Sequence, residues 1–441
     1  MLSREDNQLL TRVGPGTPMG NLFRRFWLPA ALASELAEPD GSPVRLRILG
    51  EDLLAFRDTA GRVGIVEAYC SHRLAPLYFG RNEKMGIRCP YHGWKFDLTG
   101  ACVEVPNAPM SEAARQRLAI KGYPAQEAGG LIWIYMGPKD KMPQLPGLEW
   151  LNLPSDRVFT ARWFQRSNYM QGVEGEIDTT HISFLHSVHA KEKDHTKASS
   201  VQLAAADGAP EITLRETPYG FHYGARRKFE GQDLWRITQW LLPMYSLIPR
   251  STTYPFTAGN GRAWVPVDDS NTTSFHYFFR ADRPFDDADL QEFSGGKLFP
   301  PKRKRVAIRL QQGHTIDTWL PEANIDNDYL MDRELQRTEN FTGIYGANDQ
   351  DRSLQESMPR DEAGVNVVDR TREHLVGSDL AIVTARRRLI ELARDLQQGK
   401  EPAQPHASEL YRVRAISRVC DIASYEEFLK HYGEHMTVPT P

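Results

Sequence analysis

The sequence has 441 residues and a formal net charge of −3, with 40% hydrophobic and 25% charged residues. This length allows two or three domains with sizeable cores, and the small net charge gives no indication of nucleic acid or an anionic membrane as a partner. We expect no signal peptide and no membrane span, because the N-terminus is polar and no run reaches about 20 apolar residues. The four cysteines are too few for a disulfide framework, so a cytoplasmic protein is expected.

The chain begins with a predicted short helix over 3–12, starting near Ser3. The glycine-rich segment 14–20 has the spacing G-x-G-x-x-x-G, carries two prolines and follows no strand. It therefore indicates a turn and not a dinucleotide-binding loop. Because no other dinucleotide fingerprint is present, we expect NAD(P)H and flavin to bind a separate polypeptide.

Residues 25–140 carry β-strand signals. Val44, Leu46 and Ile48 alternate with arginines, which predicts a half-buried strand. Further strands are predicted at 54–56, 63–66, 96–98, 101–105 and 131–136. Short strands with frequent turns favour an antiparallel sandwich or a small barrel. The proline-rich segment 138–147 is a predicted linker, so we expect domains at 1–145 and 146–441.

Two short Cys/His pairs lie between these strands. Cys70 and His72 form a C-x-H pair, Cys89 and His92 form a C-x2-H pair, and sixteen residues separate the pairs. Classical zinc sites group Cys with Cys and His with His. One thiolate and one imidazole per loop instead indicates a Rieske [2Fe–2S] centre, in which two histidines replace two cysteines on one iron. Zinc and two unrelated Cys/His pairs are the alternatives.

A second motif lies at 168–186, reading NYMQGVEGEIDTTHISFLH. Asp178 and His181 are i,i+3 neighbours on a predicted helix, so the carboxylate could fix the imidazole tautomer of a metal ligand. His181 and His186 are five apart, about 140° around a regular helix. They would meet at one metal only if the helix is distorted or ends between them. The alternative is an amphipathic helix with incidental histidines.

An oxygen-activating iron site needs a third facial ligand, commonly a carboxylate. We predict Asp351, with Asp349 as the second candidate, although an aspartate in a polar loop is usually a turn residue. Arg227 interrupts the apolar face of a predicted strand, and a buried guanidinium needs an anion. That anion could be a substrate carboxylate or an internal Asp or Glu. Arg250 is a second candidate for the substrate site.

Two further segments have simple interpretations. The basic run at 302–305 suggests a solvated loop, with a docking patch for an acidic electron donor as the alternative. A helix is predicted over 378–398, with Leu380, Val383, Leu389 and Leu392 on its core face.

The spaced Cys/His motif with CPYHGWKFD (89–97) and the pattern N-x2-Q-x2-E-x3-D-x2-H-x4-H together resemble the catalytic subunit of a Rieske non-haem iron aromatic ring-hydroxylating oxygenase. Segments 327–346, 348–358 and 368–382 further resemble the phthalate 4,5-dioxygenase branch. The likeness covers nearly the whole chain. It implies an α+β fold, with an all-β Rieske domain followed by a helix-grip catalytic domain of antiparallel sheet and long helices.

The resemblance also implies roles for individual residues. It assigns one [2Fe–2S] cluster per chain to Cys70, His72, Cys89 and His92. It assigns one mononuclear Fe(II) per chain to His181, His186 and Asp351. Asp178 is similar to a bridging aspartate between His181 and a cluster histidine of the adjacent subunit, and Asn168 and Gln171 match polar positions near the iron. Ser71 and Tyr169 depart from the usual proline and tryptophan, and neither change removes a ligand.

The implied function is a terminal oxygenase component. It would take electrons from an NAD(P)H-dependent reductase of the flavin/ferredoxin type and use O2 to hydroxylate an aromatic, phthalate-like carboxylated substrate. The implied assembly is head-to-tail without β subunits, as a homotrimer or a dimer of trimers. The alternatives are an aryl-ether O-demethylase with the same machinery and a Rieske electron carrier without oxygenase activity. The length of the chain after residue 145 and the 168–186 motif argue against the carrier.

Overall fold

The structure is a computed structural model, and it describes residues 2–188, 203–204, 207–250, 252, 256–311, 313–360 and 366–438. The N-terminal part contains helices α1 (Arg4–Thr11), α2 (Pro18–Phe23) and α3 (Glu112–Gln116). Its strands are β1 (Trp27–Leu32), β2 (Val44–Ile48), β3 (Glu51–Arg57), β4 (Val63–Glu67), β5 (Arg81–Glu83), β6 (Gly86–Arg88), β7 (Lys95–Phe96), β8 (Cys102–Glu104), β9 (Gly122–Tyr123), β10 (Ala125–Ala128) and β11 (Leu131–Tyr135).

The C-terminal part contains helices α4 (Tyr169–Ile177), α5 (Asp287–Gly295), α6 (Arg333–Thr338), α7 (Ala347–Gln355), α8 (Leu380–Gln397) and α9 (Tyr425–Tyr432). Its strands are β12 (Val158–Gln165), β13 (Glu211–Thr217), β14 (Gly220–Phe229), β15 (Gln232–Leu241), β16 (Tyr245–Leu247), β17 (Ala258–Pro266), β18 (Thr272–Arg280), β19 (Arg303–Arg309), β20 (Thr315–Pro321) and β21 (Ile416–Cys420). Among the helices of these described ranges, none is both long and apolar enough to cross a bilayer.

The N-terminal strands form three small antiparallel sheets, in the orders β1-β11-β10, β2-β3-β4-β9 and β5-β6-β7-β8. Along β2, Val44, Leu46 and Ile48 are buried while the arginines between them are half-buried, as the alternation predicts. The predicted antiparallel β-structure of this region is confirmed, with the short helix α3 between β8 and β9.

The C-terminal strands form one eight-stranded antiparallel sheet, in the order β12-β18-β17-β16-β15-β14-β13, with β21 paired to β15. Helix α4 packs on β16 and β17, and α8 packs on β13 and β14. This arrangement of a large antiparallel sheet with helices confirms the predicted α+β class.

One hydrophobic core joins the two parts of the chain. Trp27 and Trp133 of the N-terminal sheet belong to the same buried cluster as Tyr245 of the large sheet. The Tyr245 hydroxyl donates to the carbonyl of Trp27 at 2.6 Å, and the Trp133 and Tyr245 rings lie 6.4 Å apart. Helices α1 and α2 also pack on α8. The domain boundary at 145 stays a prediction.

Two local predictions are wrong. The basic run at 302–305 is not a loop, because most of it lies on β19, which pairs with β20 in a hairpin. On α8, Leu380 and Val383 are 41% and 45% exposed instead of buried. The buried face is lined instead by Ala381 and Ala385 together with Leu389. Small side chains on that face allow α8 to approach α2 closely.

Candidate metal centres and substrate cavity

Two loops at the tip of the N-terminal part carry the Cys/His pairs. The first loop follows β4 and is closed by a hydrogen bond from the Cys70 amide to the Ala75 carbonyl, at 2.9 Å. The second joins β6 to β7 and is closed from the Cys89 amide to the Trp94 carbonyl, at 2.8 Å. Gly93 adopts φ 79° inside this turn, a conformation that a side chain disfavours. Because each loop is a tight local turn, the short spacing within each Cys/His pair correctly predicts that its two side chains lie close together.

The side chains of these loops suit iron ligation. Cys70 and Cys89 are buried, whereas His72 and His92 are half-buried with their rings 4.5 Å apart. Trp94 stacks on His72 at 4.5 Å. The His72 Nδ1 atom is buried without a hydrogen-bond partner among the described residues, as a ligand nitrogen would be. Burial raises the pKa of Cys70 to about 11, so a thiolate there needs a metal ion.

The same four residues do not form a mononuclear zinc site. A tetrahedral zinc ion would bring all four ligand atoms within about 4 Å of one another. Within the described ranges, three or more metal-ligating atoms converge within 4.8 Å at one place only, and that place is elsewhere. The donor set therefore fits a binuclear cluster with one Cys and one His on each loop.

The convergence occurs at His181, His186 and Asp351. The two histidine Nε2 atoms are 3.2 Å apart. They lie 3.6 and 3.2 Å from Oδ1 of Asp351, which α7 supplies. Two imidazoles and one carboxylate on adjacent corners are the donor set of a non-haem iron site with open positions.

The path of the chain differs from the predicted helix. Helix α4 ends at Ile177, and Asp178 already has an extended backbone. His181 begins a separate 3-10 turn over His181–Ser183. Asp178 and His181 therefore do not share a helix face, and the helix ends before both histidines and not between them. The break frees the chain to turn both rings towards Asp351.

Asp178 faces the outer nitrogen of His181. Its Oδ2 lies 3.6 Å from His181 Nδ1, and its Oδ1 accepts from the amide and hydroxyl of Thr180 at 2.7 and 2.6 Å. Burial opposes ionisation of Asp178, but His181 and Thr180 outweigh it and lower its pKa. Burial likewise opposes charging of His181, but Asp178 and Asp351 raise its pKa. The carboxylate therefore stays ionised beside the imidazole.

His186 has a different outer partner, which the sequence did not indicate. The Gln350 amide Nε2 donates to the Ile344 carbonyl at 2.8 Å, which leaves its Oε1 to accept from His186 Nδ1 at 2.7 Å. With the proton on Nδ1, Nε2 is free to bind a metal. In the sequence, the only indication of a role for Gln350 is that it directly precedes Asp351.

Three other predicted residues take different positions. Asp349 pairs with Arg352 and is absent from the converging group. Asn168 caps α4 by accepting from the Met170 amide at 3.1 Å, and its own amide donates to two backbone carbonyls. Gln171 donates to the Gln355 carbonyl at 2.5 Å. These contacts are those of a helix cap and a packing amide, and catalytic roles for Asn168 and Gln171 stay predictions.

A cavity of about 220 Å³ opens beside the three converging residues. Its apolar wall is formed by Ile182, Ile248, Trp264, Leu298 and Phe299. Its basic side chains are Arg236, Arg250 and Arg262. An apolar cavity with a few polar groups is typical of a small-molecule site.

The two arginines predicted from the sequence differ in position. Arg250 lines the cavity, pairs with Glu292 and lies 4.2 Å from the Phe278 ring centre. Arg227 is buried outside the cavity wall and donates to the backbone carbonyls of Thr179 and Asp207 at 2.6 and 3.0 Å. Its expected carboxylate partner is thus replaced by carbonyls.

Arg262 is a cavity residue that sequence analysis missed. It forms a buried ion pair with Glu176, and its guanidinium carbon lies 3.4 Å from the Phe299 ring centre. Its Nε and Nη2 atoms are buried without hydrogen-bond partners in the described part of the chain. Burial also lowers the pKa of Arg236 to about 9. Arg262 therefore brings unused donor atoms to the cavity wall.

Comparison with protein families gives two matches. Residues 26–124 match the Rieske [2Fe-2S] domain. Residues 134–419 match the family described as LigXa C-terminal domain like. Together the matches cover both candidate metal centres.

Three curated relatives are similar to this chain. The oxygenase subunit of 3-chlorobenzoate-3,4-dioxygenase from Comamonas testosteroni is 38% identical, over 89% of this chain and 89% of the relative. The oxygenase subunit of phthalate 4,5-dioxygenase from Pseudomonas putida is 37% identical, over 91% and 88%. The oxygenase subunit of 5,5'-dehydrodivanillate O-demethylase from a Sphingobium strain is 36% identical, over 63% of each chain.

Proposed function

Since the chain belongs to the phthalate 4,5-dioxygenase-like branch of the Rieske non-haem iron oxygenases, we propose that it hydroxylates a carboxylated aromatic substrate with O2. The chain is a terminal oxygenase component with a Rieske cluster and a mononuclear iron. When bound, the cluster supplies single electrons and the iron activates O2. The observation that carries the proposal is the convergence of two imidazoles and a carboxylate beside the cavity.

The proposed tasks of the protein are ligation and positioning. Cys70, His72, Cys89 and His92 would hold the cluster. His181, His186 and Asp351 would hold the iron, since one carboxylate oxygen faces both Nε2 atoms. The apolar wall of the cavity excludes water from the reacting ring and packs against it.

A carboxylate on the substrate would find unpaired donors at Arg262, whose Nε and Nη2 atoms have no partner in the described part of the chain. Glu176 and Glu292 already pair with Arg262 and Arg250, and Asp351 is committed to the histidines. Guanidinium groups recognise carboxylates through two parallel hydrogen bonds. We therefore place the substrate carboxylate at the arginines and its ring on the apolar wall.

The first experiment is iron and acid-labile sulfide analysis with EPR of the reduced protein. About three irons and two sulfides per chain, with a Rieske signal, are expected. Single-turnover reactions with phthalate, 3-chlorobenzoate and their methyl esters then follow, with products identified by mass spectrometry. We expect hydroxylated acids and poor reaction of the esters. Equal turnover of acids and esters would refute the carboxylate site.

O-demethylation of an aryl ether is the second candidate, and the O-demethylase among the relatives favours it. The same centre would serve, so the products separate the two reactions. Formaldehyde from a methoxybenzoate, without ring hydroxylation, would establish demethylation. The third candidate, an electron carrier without oxygenase activity, predicts no substrate-dependent O2 uptake after Fe(II) loading.

We also propose a head-to-tail homotrimer, with a dimer of trimers as the alternative. In and next to the two cluster loops, the side chains of Leu74, Phe79 and Tyr91 are 73%, 69% and 54% exposed. A groove of about 870 Å³ beside His181 exposes Phe341, at 52%. If the exposed apolar side chains near the cluster of one copy packed into this groove of the next copy, three copies could form a closed ring.

This arrangement would bring a neighbour's cluster close to His181, which lines the groove. Asp178 lies 3.6 Å from His181 Nδ1, which supports it as the bridge. Light scattering should give a trimeric mass. Leu74→Glu should reduce that mass and slow substrate turnover while leaving the cluster intact. A monomeric wild type would refute the arrangement.

The proposed electron source is a separate NAD(P)H-dependent reductase of the flavin/ferredoxin type, acting in the cytoplasm. None of the four cysteines forms a disulfide, which is consistent with a reducing compartment.

A further inference from the structure

Strand β19 concentrates positive charge on the surface. Lys302, Lys304, Arg305 and Arg309 are exposed within eight residues that contain no acidic side chain. The chain as a whole carries a formal net charge of −3, so the charge of this strand is opposite in sign to that of the whole chain. A local concentration of one sign of charge attracts oppositely charged partners over a Debye length of about 10 Å.

These charges are poorly neutralised by the protein itself. Within the described ranges, Lys304 and Arg309 form no ion pair. Arg305 lies 3.9 Å from Glu35, but that carboxylate is already bound by Arg162 at 2.7 Å. β19 is also an edge strand, because among the described strands it pairs with β20 alone. Its exposed basic side chains therefore lie beside an edge that no other described strand covers.

The hairpin lies against the first cluster loop. His314, in the turn between β19 and β20, meets the Tyr69 hydroxyl at 3.3 Å and pairs with Asp52. Tyr69 directly precedes Cys70. Arg309, the last residue of β19, lies beside this turn. A protein bound along β19 would thus sit next to the loop that carries a cluster ligand.

We propose that β19 is the docking surface for an acidic one-electron carrier protein that reduces the Rieske cluster. The inference rests on the cluster assignment made under the proposed function. In the step, the carrier loses one electron and the cluster gains it, with no bond formed or broken. Electron-transfer encounters are small and steered by charge, which suits a single exposed basic strand.

A competing explanation is that lysines on an edge strand only prevent strand-to-strand aggregation. The two explanations differ in kinetics. A docking role predicts that charge reversal slows electron entry in a salt-dependent way. An anti-aggregation role predicts no change in electron entry.

The test uses the full-length holoprotein and a photoreduced plant-type [2Fe–2S] ferredoxin as the acidic carrier. Cluster reduction is followed by rapid-freeze EPR, for the wild type and the double variant Lys304→Glu/Arg309→Glu. The control is Lys139→Glu/Arg372→Glu, which reverses two exposed charges on other segments. Dithionite reduces all three proteins without a docking step. Iron and sulfide analysis beforehand establishes the cluster, so its absence would count against the proposed function alone.

We expect the β19 variant to be reduced at least tenfold more slowly at about 20 mM salt, because steering changes on-rates by about 10 to 1,000-fold. The difference should shrink below twofold at about 0.5 M salt. The control should stay within twofold of the wild type, and all three proteins should react equally with dithionite. Equal slowing in both variants, or a wild-type rate that does not depend on salt, would overturn the proposal.

Discussion

Replacing Gln350 tests whether the outer hydrogen bond to His186 helps to hold the iron. Gln350→Leu keeps a similar volume but removes the oxygen that accepts from His186 Nδ1 at 2.7 Å. It also removes the donor to the Ile344 carbonyl, at 2.8 Å. The proton of His186 is then free to move to Nε2, which would block the metal-binding nitrogen.

Loss of such a partner typically lowers metal affinity about 10 to 100-fold. This corresponds to about 1.4–2.7 kcal/mol of binding free energy. Gln350→Glu should retain or increase affinity, because a carboxylate accepts a stronger hydrogen bond than an amide does. The neighbouring Asp351 is unchanged in both variants.

The assay is anaerobic titration of the mononuclear site with Fe(II), after removal of weakly bound iron by a chelator. Gln336→Leu is the control, since it makes the same exchange on α6, where Gln336 donates to the Phe341 carbonyl at 3.3 Å. Thermal unfolding checks that all three variants fold. If Gln350→Leu binds Fe(II) as tightly as the wild type, Gln350 does not orient His186. Equal weakening by Leu and Glu would also refute the reasoning.

Four further predictions follow from the contacts. Asp178→Asn should keep both metals but slow single-turnover oxidation at least tenfold, and unchanged kinetics would exclude the bridging role. Arg250→Met should raise KM for an aromatic acid much more than for its methyl ester, as steady-state O2 uptake can measure. Glu176→Ala leaves Arg262 buried without its carboxylate, so it should destabilise the fold by about 3–5 kcal/mol and lower Tm. Burial lowers the pKa of His222 to about 4, so protonation favours the unfolded state. Stability should therefore fall from about pH 6.5 towards pH 4, by about 3 kcal/mol, and denaturant titrations of His222→Gln should show a flatter dependence.

Much of the metal chemistry could be predicted from the sequence because it is local. Each cluster loop is a tight turn, so a spacing such as that between Cys89 and His92 states directly which side chains meet. The alternation in β2 is equally local. For the second centre, the 168–186 motif indicated the two histidines and Asp351 was one of two candidate aspartates, and the resemblance then assigned all three. The structure brings them together by ending α4 early. Helix propensity alone does not predict that α4 ends at Ile177.

The missed residues depend on tertiary packing. Gln350 acts through His186, which is 164 positions away in the sequence. Arg262 reaches the cavity because β17 lies beside α4, and its pairing with Glu176 spans 86 positions. No periodicity connects such pairs. The exposure of Leu380 also depends on tertiary packing. Helix α2 packs on α8 and helps to decide that the side with Ala381 and Ala385 is buried and the side with Leu380 is not.

The shared core of Trp27, Trp133 and Tyr245 has a mechanical consequence. A Rieske unit fastened to the large sheet by buried indole and phenol rings cannot swing as a tethered arm. The separation between the two metal centres of one chain is therefore fixed by the fold. In the proposed trimer, the arrangement of the subunits would then decide which cluster serves which iron. Because the hydrophobic core is shared, the N-terminal and C-terminal parts should unfold in a single transition. A fragment ending at residue 145 would expose aromatic side chains of this core and should aggregate.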